Sequence, residues 1–389
     1  MFPYLAQLRT LPRPFWILIG ATFVNRFGLF VWPFLTIFIT RNGNTATEAG
    51  LAVAAYSTGS FGAAILGGWL ADRLGRNITL ALASFGSAVC MMTMSQASDW
   101  KVLSVIAFAT GLIGESGQPA GSALIQDLVP TDKRVLAFAV HRFAVNLGWS
   151  VGPAVAGLLA ESSFFWLFVV DAATAAFFVM IAWTSLPRGR RTEAHKAGWR
   201  PALVSIRQNP SFLALAASCL CVASVFRQTS TSFPLHFERS GLPMTWCGLV
   251  LAMNGLLICL LEIPLASFTR VWPVKRMLGL GYVLMGGAFL FFQVGGSLLI
   301  FILMMIVFTL GEMCAFSRQQ AYAASLAPED MRGRYAGFLS FAWSAGGIVT
   351  SVLSMQLYEI NPGWLWFITA GLGITAALLI SRSGRSEQT

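Results

Sequence analysis

Residues Gly67–Asn77 read GGWLADRLGRN. The stretch follows one apolar run (Leu51–Leu66) and precedes another (Ile78–Met94), and it sets Asp72, Arg73 and Arg76 among three glycines. It is too short to be a domain. In surroundings this apolar it reads as a charged hinge between two membrane helices.

The whole chain agrees with that reading. Of its 389 residues 56% are hydrophobic and only 11% are charged, where a soluble protein carries about a quarter charged residues. The apolar runs recur at roughly 20–28 residues, the length that crosses about 30 Å of hydrocarbon as helix. The first run is a full span with no small-residue cleavage site behind it, so no cleavable signal is expected. The net charge of +10 would suit a polyanion partner, but its distribution points elsewhere. Nineteen of the 26 Lys and Arg fall in the N-terminus, the turns after spans 2, 4, 8 and 10, the central linker and the C-tail. Three (Arg41, Lys101, Arg239) fall in the opposite loops, and four (Arg26, Arg142, Arg227, Arg318) lie inside apolar runs. This asymmetry predicts a multi-pass protein of the plasma (inner) membrane with both termini cytoplasmic, and it assigns no nucleic-acid partner. The six cysteines lie in or beside spans without metal-site spacing and read as small packing residues.

Twelve spans are expected, at 15–39, 47–70, 78–97, 102–128, 135–159, 164–186, 211–234, 244–268, 277–295, 298–326, 335–357 and 363–381. The segment 187–210, with six basic residues, reads as a cytoplasmic linker between an N-terminal six-helix bundle (1–186) and a C-terminal one with a short tail (211–389). The halves look like copies. Arg26 is followed seven residues later by Pro33, and Arg227 seven residues later by Pro234. Span 4 runs from Gly114-Glu115 to a Pro-x-Asp-x-Arg end, and span 10 from Gly311-Glu312 to the same end; the starts lie 197 residues apart and the ends 198. Two matched pairs of spans in the same order point to a duplication, six plus six helices, as in many transporters.

Gly68-x-Leu70-Ala71-Asp72-Arg73-x-Gly75-Arg76 resembles the signature that the major facilitator superfamily carries between its helices 2 and 3. The resemblance implies an all-α membrane protein of two pseudo-symmetric six-helix bundles. The corresponding second-half stretch, Leu265–Arg276, is degenerate and lacks the Asp. The resemblance also implies a gating latch in which Asp72 faces a helix end and Arg76 pairs with Asp127; the plainer alternative is a solvated turn that only enforces topology. Span 5 carries Gly148, Gly152, Pro153 and Gly157. The glycines make a smooth stripe for close helix approach and the proline permits a bend. The set resembles the glycine-proline motif of superfamily antiporters, against generic helix packing.

Ionisable residues at membrane depth are costly and usually functional. Glu115, Glu312 and Glu262 are the clearest acids, and Asp171 lies nearer the outer face as a structural or water-facing residue. Thr309-Leu310-Gly311-Glu312 resembles the matching helix of proton-driven multidrug antiporters, which makes Glu312 the first and Glu115 the second expected proton-coupling carboxylate; a fixed Glu–Arg pair is the alternative for each. Arg26 and Arg227 occupy duplicated positions that line the cavity in this fold. With Arg142 and Arg318 they either pair with the in-span acids or bind an anionic substrate. Phe30, Asn146, Trp149 and Asn254 complete the expected substrate cavity, whose mix of aromatic and polar groups suits an amphipathic ligand. No nucleophile–base pair and no Gly-x4-Gly-Lys-Ser/Thr loop is present, so neither an enzyme nor an ATP-driven pump is expected. The leading expectation is a monomeric secondary transporter, without cofactor and coupled to protons, exporting small amphipathic compounds or drugs. The alternative is proton-coupled uptake of small peptides or organic anions. Arg26-Phe27 and Phe143-x-x-Asn146-Leu147-Gly148 resemble oligopeptide symporters, but Val24 and Asn25 stand where those place acids.

Overall fold

The computed structural model describes residues 8, 10–130, 133–189, 199–269, 271–328 and 331–382. The described residues contain helices and no strand. In chain order these are α1 (Arg13–Phe27), α2 (Leu35–Arg41), α3 (Ala46–Leu74), α4 (Arg76–Met94), α5 (Trp100–Gly114), α6 (Gly117–Leu128), α7 (Arg134–Ser162) and α8 (Phe164–Thr184). The second half follows with α9 (Trp199–Arg207), α10 (Pro210–Arg227), α11 (Ser232–Arg239), α12 (Met244–Phe268), α13 (Val274–Ala288), α14 (Leu298–Leu326), α15 (Arg332–Ile360) and α16 (Pro362–Arg382). Eleven helical stretches among the described residues are long and apolar enough to cross a membrane. Large apolar side chains such as Ile65, Phe85, Trp183, Phe268 and Trp364 stand exposed on them, as a lipid-facing surface requires and a water-facing one would not tolerate.

The expected span 102–128 is not one helix. It divides at Glu115–Ser116 into α5 and α6, each too short to cross alone. Pro119 causes the break: it lacks an N–H, and its ring opposes the carbonyl four residues earlier, that of Glu115. Span 1 breaks in the same way after α1 and resumes through a 3₁₀ turn at Trp32–Phe34, where Pro33 opposes the carbonyl of Leu29. Span 7 breaks after α10 through Gln228–Ser230, where Pro234 opposes the carbonyl of Ser230. Pro153 and Pro264, by contrast, are accommodated inside unbroken α7 and α12.

The chain forms two compact units. One comprises Met1–Asn44, Ala55–Ala194 and Pro243–Cys259; the other comprises Thr45–Ala54, His195–Leu242 and Leu260–Thr389. The units therefore do not follow the sequence halves: the first turns of α3 belong with the second unit, and the first part of α12 with the first. In the first unit, Phe15 and Leu18 of α1, Leu80 of α4, Leu124 of α6 and Phe178 of α8 meet in one buried cluster. In the second, the rings of Phe292, Phe301 and Trp366 surround His236, with Phe233 and Phe237 packed on Phe301, and the His236 Nδ1 lies 3.0 Å from the Tyr358 hydroxyl. Part of the expected linker is the helix α9. Its Ile206 packs with Phe212, Ala327 and Tyr335, and its Ser205 hydroxyl lies 2.8 Å from that of Tyr335. Residues 190–198 of the linker, and Asp132 and Asp330 of the two Pro-x-Asp-x-Arg ends, lie outside the described residues.

Candidate functional site

In the first unit Arg26 and Glu115 stand at helix breaks. Arg26 occupies the last turn of α1, where the negative end of the helix dipole favours a cation. Glu115 caps α5 at the break in span 4, its N–H bonded to the Gly111 carbonyl. Its Oε1 accepts from the Tyr56 hydroxyl at 2.7 Å, and its Oε2 accepts from the Gln118 amide. The Tyr56 ring rests on Trp32, with centroids 3.7 Å apart. The 3₁₀ turn of span 1, the middle of span 2 and the break in span 4 thus meet through Trp32, Tyr56 and Glu115. A tyrosine hydroxyl both donates and accepts, so Tyr56 can serve Glu115 whether or not it holds a proton. Tyr56 was not among the residues expected from sequence; a hydroxyl-bearing aromatic inside an apolar run was its only signal.

The expected glycine stripe of α7 is used for close approach. A Cβ on Gly148 would stand 2.8 Å from the Arg26 Cβ, and one on Gly152 would stand 2.6 Å from the Phe27 carbonyl oxygen. These two glycines seat α7 against α1 at its break. Gly157 faces α12 instead, where a Cβ would meet the Met244 carbonyl oxygen at 2.6 Å. Asn146, Trp149 and Asn254 are half-buried, and the Asn146 carbonyl accepts from Ser150. Phe30 is fully buried against Phe27, so it supports the break rather than offering a surface. Arg142 is exposed.

Asp171, on α8, is 4% exposed. It accepts from the backbone N–H of Val31, and its Oδ2 has no hydrogen-bond partner among the described residues. The water-facing role considered for it is therefore not what the structure shows; it is packed against the break in span 1. A Cβ on Gly28 would overlap Thr174, one turn along the same helix.

The second unit repeats part of this arrangement. Arg227 occupies the last turn of α10, ahead of the second break, and its guanidinium lies over Gly347 of α15. Glu312 is half-buried on α14. Phe308 and Phe316 stand four residues to either side of it, hence on the same helix face. Both rings touch Phe226, at 6.0 and 5.6 Å, and Phe316 also meets Trp343 at 5.4 Å. The coupling acid expected from sequence is thus flanked by aromatic rings beside the residue preceding Arg227. Glu262 is half-buried on α12. Arg318 donates from Nη2 to the hydroxyl and, at 3.2 Å, the carbonyl of Thr269. It ties α14 to the end of α12.

The hinge forms as its residues suggest. Gly75 adopts φ 98°, a left-handed value that glycine takes without strain, and it separates α3 from α4. Arg76 is 6% exposed and forms an ion pair with Asp127. Its backbone N–H donates to the Arg188 carbonyl at 2.9 Å, and a Cβ on Gly189 would press on both members of the pair. The pair therefore joins spans 3 and 4 and seats the entry to the linker, all within one unit. Arg73 stacks over Trp69 at 4.6 Å. Asp72 is exposed, near enough to Arg76 for their charges to attract, and Gly68 faces open space.

Comparison with known proteins agrees with this architecture. The family model described as Major Facilitator Superfamily matches residues 18–351 and 247–386. The chain belongs to that superfamily. A curated relative, the Na(+), Li(+), K(+)/H(+) antiporter of Planococcus maritimus, is 25% identical over 396 residues, covering 93% of each chain. The quinolone resistance protein NorA of Staphylococcus aureus is 26% identical over 133 residues, 34% of each chain. Among solved structures, a POT family transporter in complex with a thioalcohol-conjugated peptide superposes with a TM-score of 0.81 at 14% identity, covering 95% of this chain and 96% of that one. This last likeness concerns the fold alone. The superfamily and its curated relatives make the chain a multi-pass membrane transporter rather than an enzyme.

Proposed function

We propose that this transporter is a proton-coupled antiporter of the plasma membrane that exports small amphipathic organic compounds. The observation that carries the reading is Glu312. It is a half-buried carboxyl with Phe308 and Phe316 on its own helix face and with Phe226 and Trp343 packed against them. Phe308 is buried and backs this face, while Phe226, Phe316 and Trp343 are half-buried; such aromatic surface beside an acid suits an organic molecule with an apolar body and a cationic group. The same carboxyl holds either a proton or that cation, and such competition is the elementary requirement of antiport. Glu115, held by Tyr56 and Gln118, is the second proton-handling acid. The relatives described as a cation/H(+) antiporter and as a quinolone resistance protein support the direction. The proton is the coupling ion and the chain works as a monomer with both termini cytoplasmic.

One observation favours the alternative, proton-coupled uptake of peptides or organic anions. Arg26 and Arg227 stand at duplicated helix breaks, each in the last turn of its segment, and guanidiniums bind carboxylates well. Purified protein in proteoliposomes with an imposed pH gradient separates the readings. Antiport predicts that ethidium moves opposite to the proton and that a dipeptide moves no protons. Dipeptide moving together with the proton, with no ethidium flux, would overturn the proposal.

A further inference from the structure

Two glutamates outside the site hold the starts of two long helices. Glu359, in the last turn of α15, accepts through Oε1 from the backbone N–H of Ala46 at 2.7 Å and of Thr47 at 3.3 Å, and through Oε2 from the Thr47 hydroxyl. Glu161, in the last turn of α7, accepts through Oε1 from the backbone N–H of Thr245 at 3.0 Å and also bonds the Thr245 side chain. The first turn of a helix leaves its N–H groups unpaired and carries the positive end of the dipole, so a carboxylate from elsewhere in the chain is a fitting partner for each. At α3 the fit is complete. Thr45 and Glu48 form a local capping box, and Glu359 takes the two N–H groups that the box leaves.

The two arrangements are copies. Thr47 and Thr245 are 198 residues apart, and so are Glu161 and Glu359, the same offset that relates the Pro-x-Asp-x-Arg ends. The packing below them repeats as well. A Cβ on Gly50 would stand 2.3 Å from the Ser351 carbonyl oxygen, and one on Gly248 would stand 2.1 Å from the Pro153 carbonyl oxygen. Gly50 and Gly248, like Pro153 and Ser351, are again 198 apart. In both places a glutamate at one helix C-terminus caps a helix start from the other sequence half, and a glycine one turn further in brings the two backbones into contact. Chance would not place four residue pairs at one offset in one arrangement.

From this duplication we infer that Glu161 and Glu359 are twin clasps, fastening α12 to α7 and α3 to α15, and that both release each time the transporter changes conformation. The inference rests on the transport reading above. By the distribution of basic residues these helix ends lie at the outer face, so the clasps fasten that face and release when it opens. Each clasp is charge-assisted and sits at a water-accessible helix end, strong enough to hold a conformation and open enough to let go.

Hydrogen exchange on the full-length protein in detergent reads the clasps directly. Glu359→Gln should raise exchange about tenfold at residues 46–48 and leave 245–247 unchanged, and Glu161→Gln the reverse, as expected for loss of one cap. The double variant should raise both and change the rate of transport in proteoliposomes. Unchanged exchange at both helix starts in the double variant would overturn the clasps. Faster exchange with wild-type transport would overturn their part in the cycle. If the glutamate variants do not assemble, Thr47→Ala and Thr245→Ala remove only the hydroxyl donors and carry the same prediction at smaller size. A wild-type protein that moves no protons would sink the transport reading while leaving the exchange result intact.

Discussion

Replacing Asp127 by asparagine tests the packing behind the hinge. Asp127 forms an ion pair with Arg76, a residue only 6% exposed, beneath the linker entry at Arg188 and Gly189. Removing one member of a buried pair leaves the other charge without its partner in a poorly solvated place, at about 3–5 kcal/mol. Asparagine keeps an acceptor oxygen, so the lower end of that range is expected. Replacing both members together, Arg76→Met with Asp127→Leu, removes the charge that would be stranded and should recover most of the loss. Unfolding in mixed micelles of increasing sodium dodecyl sulfate measures Asp127→Asn together with wild type, Arg76→Met, Asp127→Leu and their double, and the cycle of these last four isolates the pair. Coupling below about 0.5 kcal/mol, or an Asp127→Asn protein as stable as wild type, would show that the pair is a solvated surface contact and that the hinge reading is wrong.

Three further outcomes follow from the same structure. Tyr56→Phe removes the hydroxyl that meets Glu115 at 2.7 Å; proton-linked flux should fall several-fold with folding intact, and wild-type flux would remove Tyr56 from the site. Gly152→Ala sets a methyl 2.6 Å from a backbone oxygen and should cost about 1–3 kcal/mol. Gly68→Ala meets open space and should leave stability unchanged or slightly raised; equal behaviour of the two on thermal unfolding would refute the close approach of α7 to α1. Asp72→Asn should cut transport while expression stays normal, and normal transport would confine Asp72 to a topological role.

Most of the fold was legible because membrane helices announce themselves by length and apolarity, and because Gly68–Arg76 is a specific pattern. The Arg76–Asp127 pair followed from that pattern. The breaks in spans 1, 4 and 7 were not read, since apolar periodicity is blind to an interrupted hydrogen-bond ladder. The signal was present in Pro33, Pro119 and Pro234, each four residues beyond its break, but Pro153 and Pro264 sit in unbroken helices and show that proline alone does not decide. Glu115 and Glu312 were visible as acids in apolar runs, while their settings were not. The bond from Tyr56 to Glu115 spans 59 residues and that from Glu359 to Thr47 spans 312, distances over which no local pattern speaks. Arg318, an expected cavity residue, is instead placed by its bonds to Thr269. That outcome depends on where two helices cross.

The most direct test of the central claim is proton movement in proteoliposomes holding the wild type, Glu312→Gln or Glu115→Gln, read with an internal pH-sensitive dye while ethidium is added outside. Ethidium-driven proton flux is expected in the wild type, none in Glu312→Gln and a clear reduction in Glu115→Gln. Unchanged flux with an unchanged pH dependence in Glu312→Gln would contradict the claim.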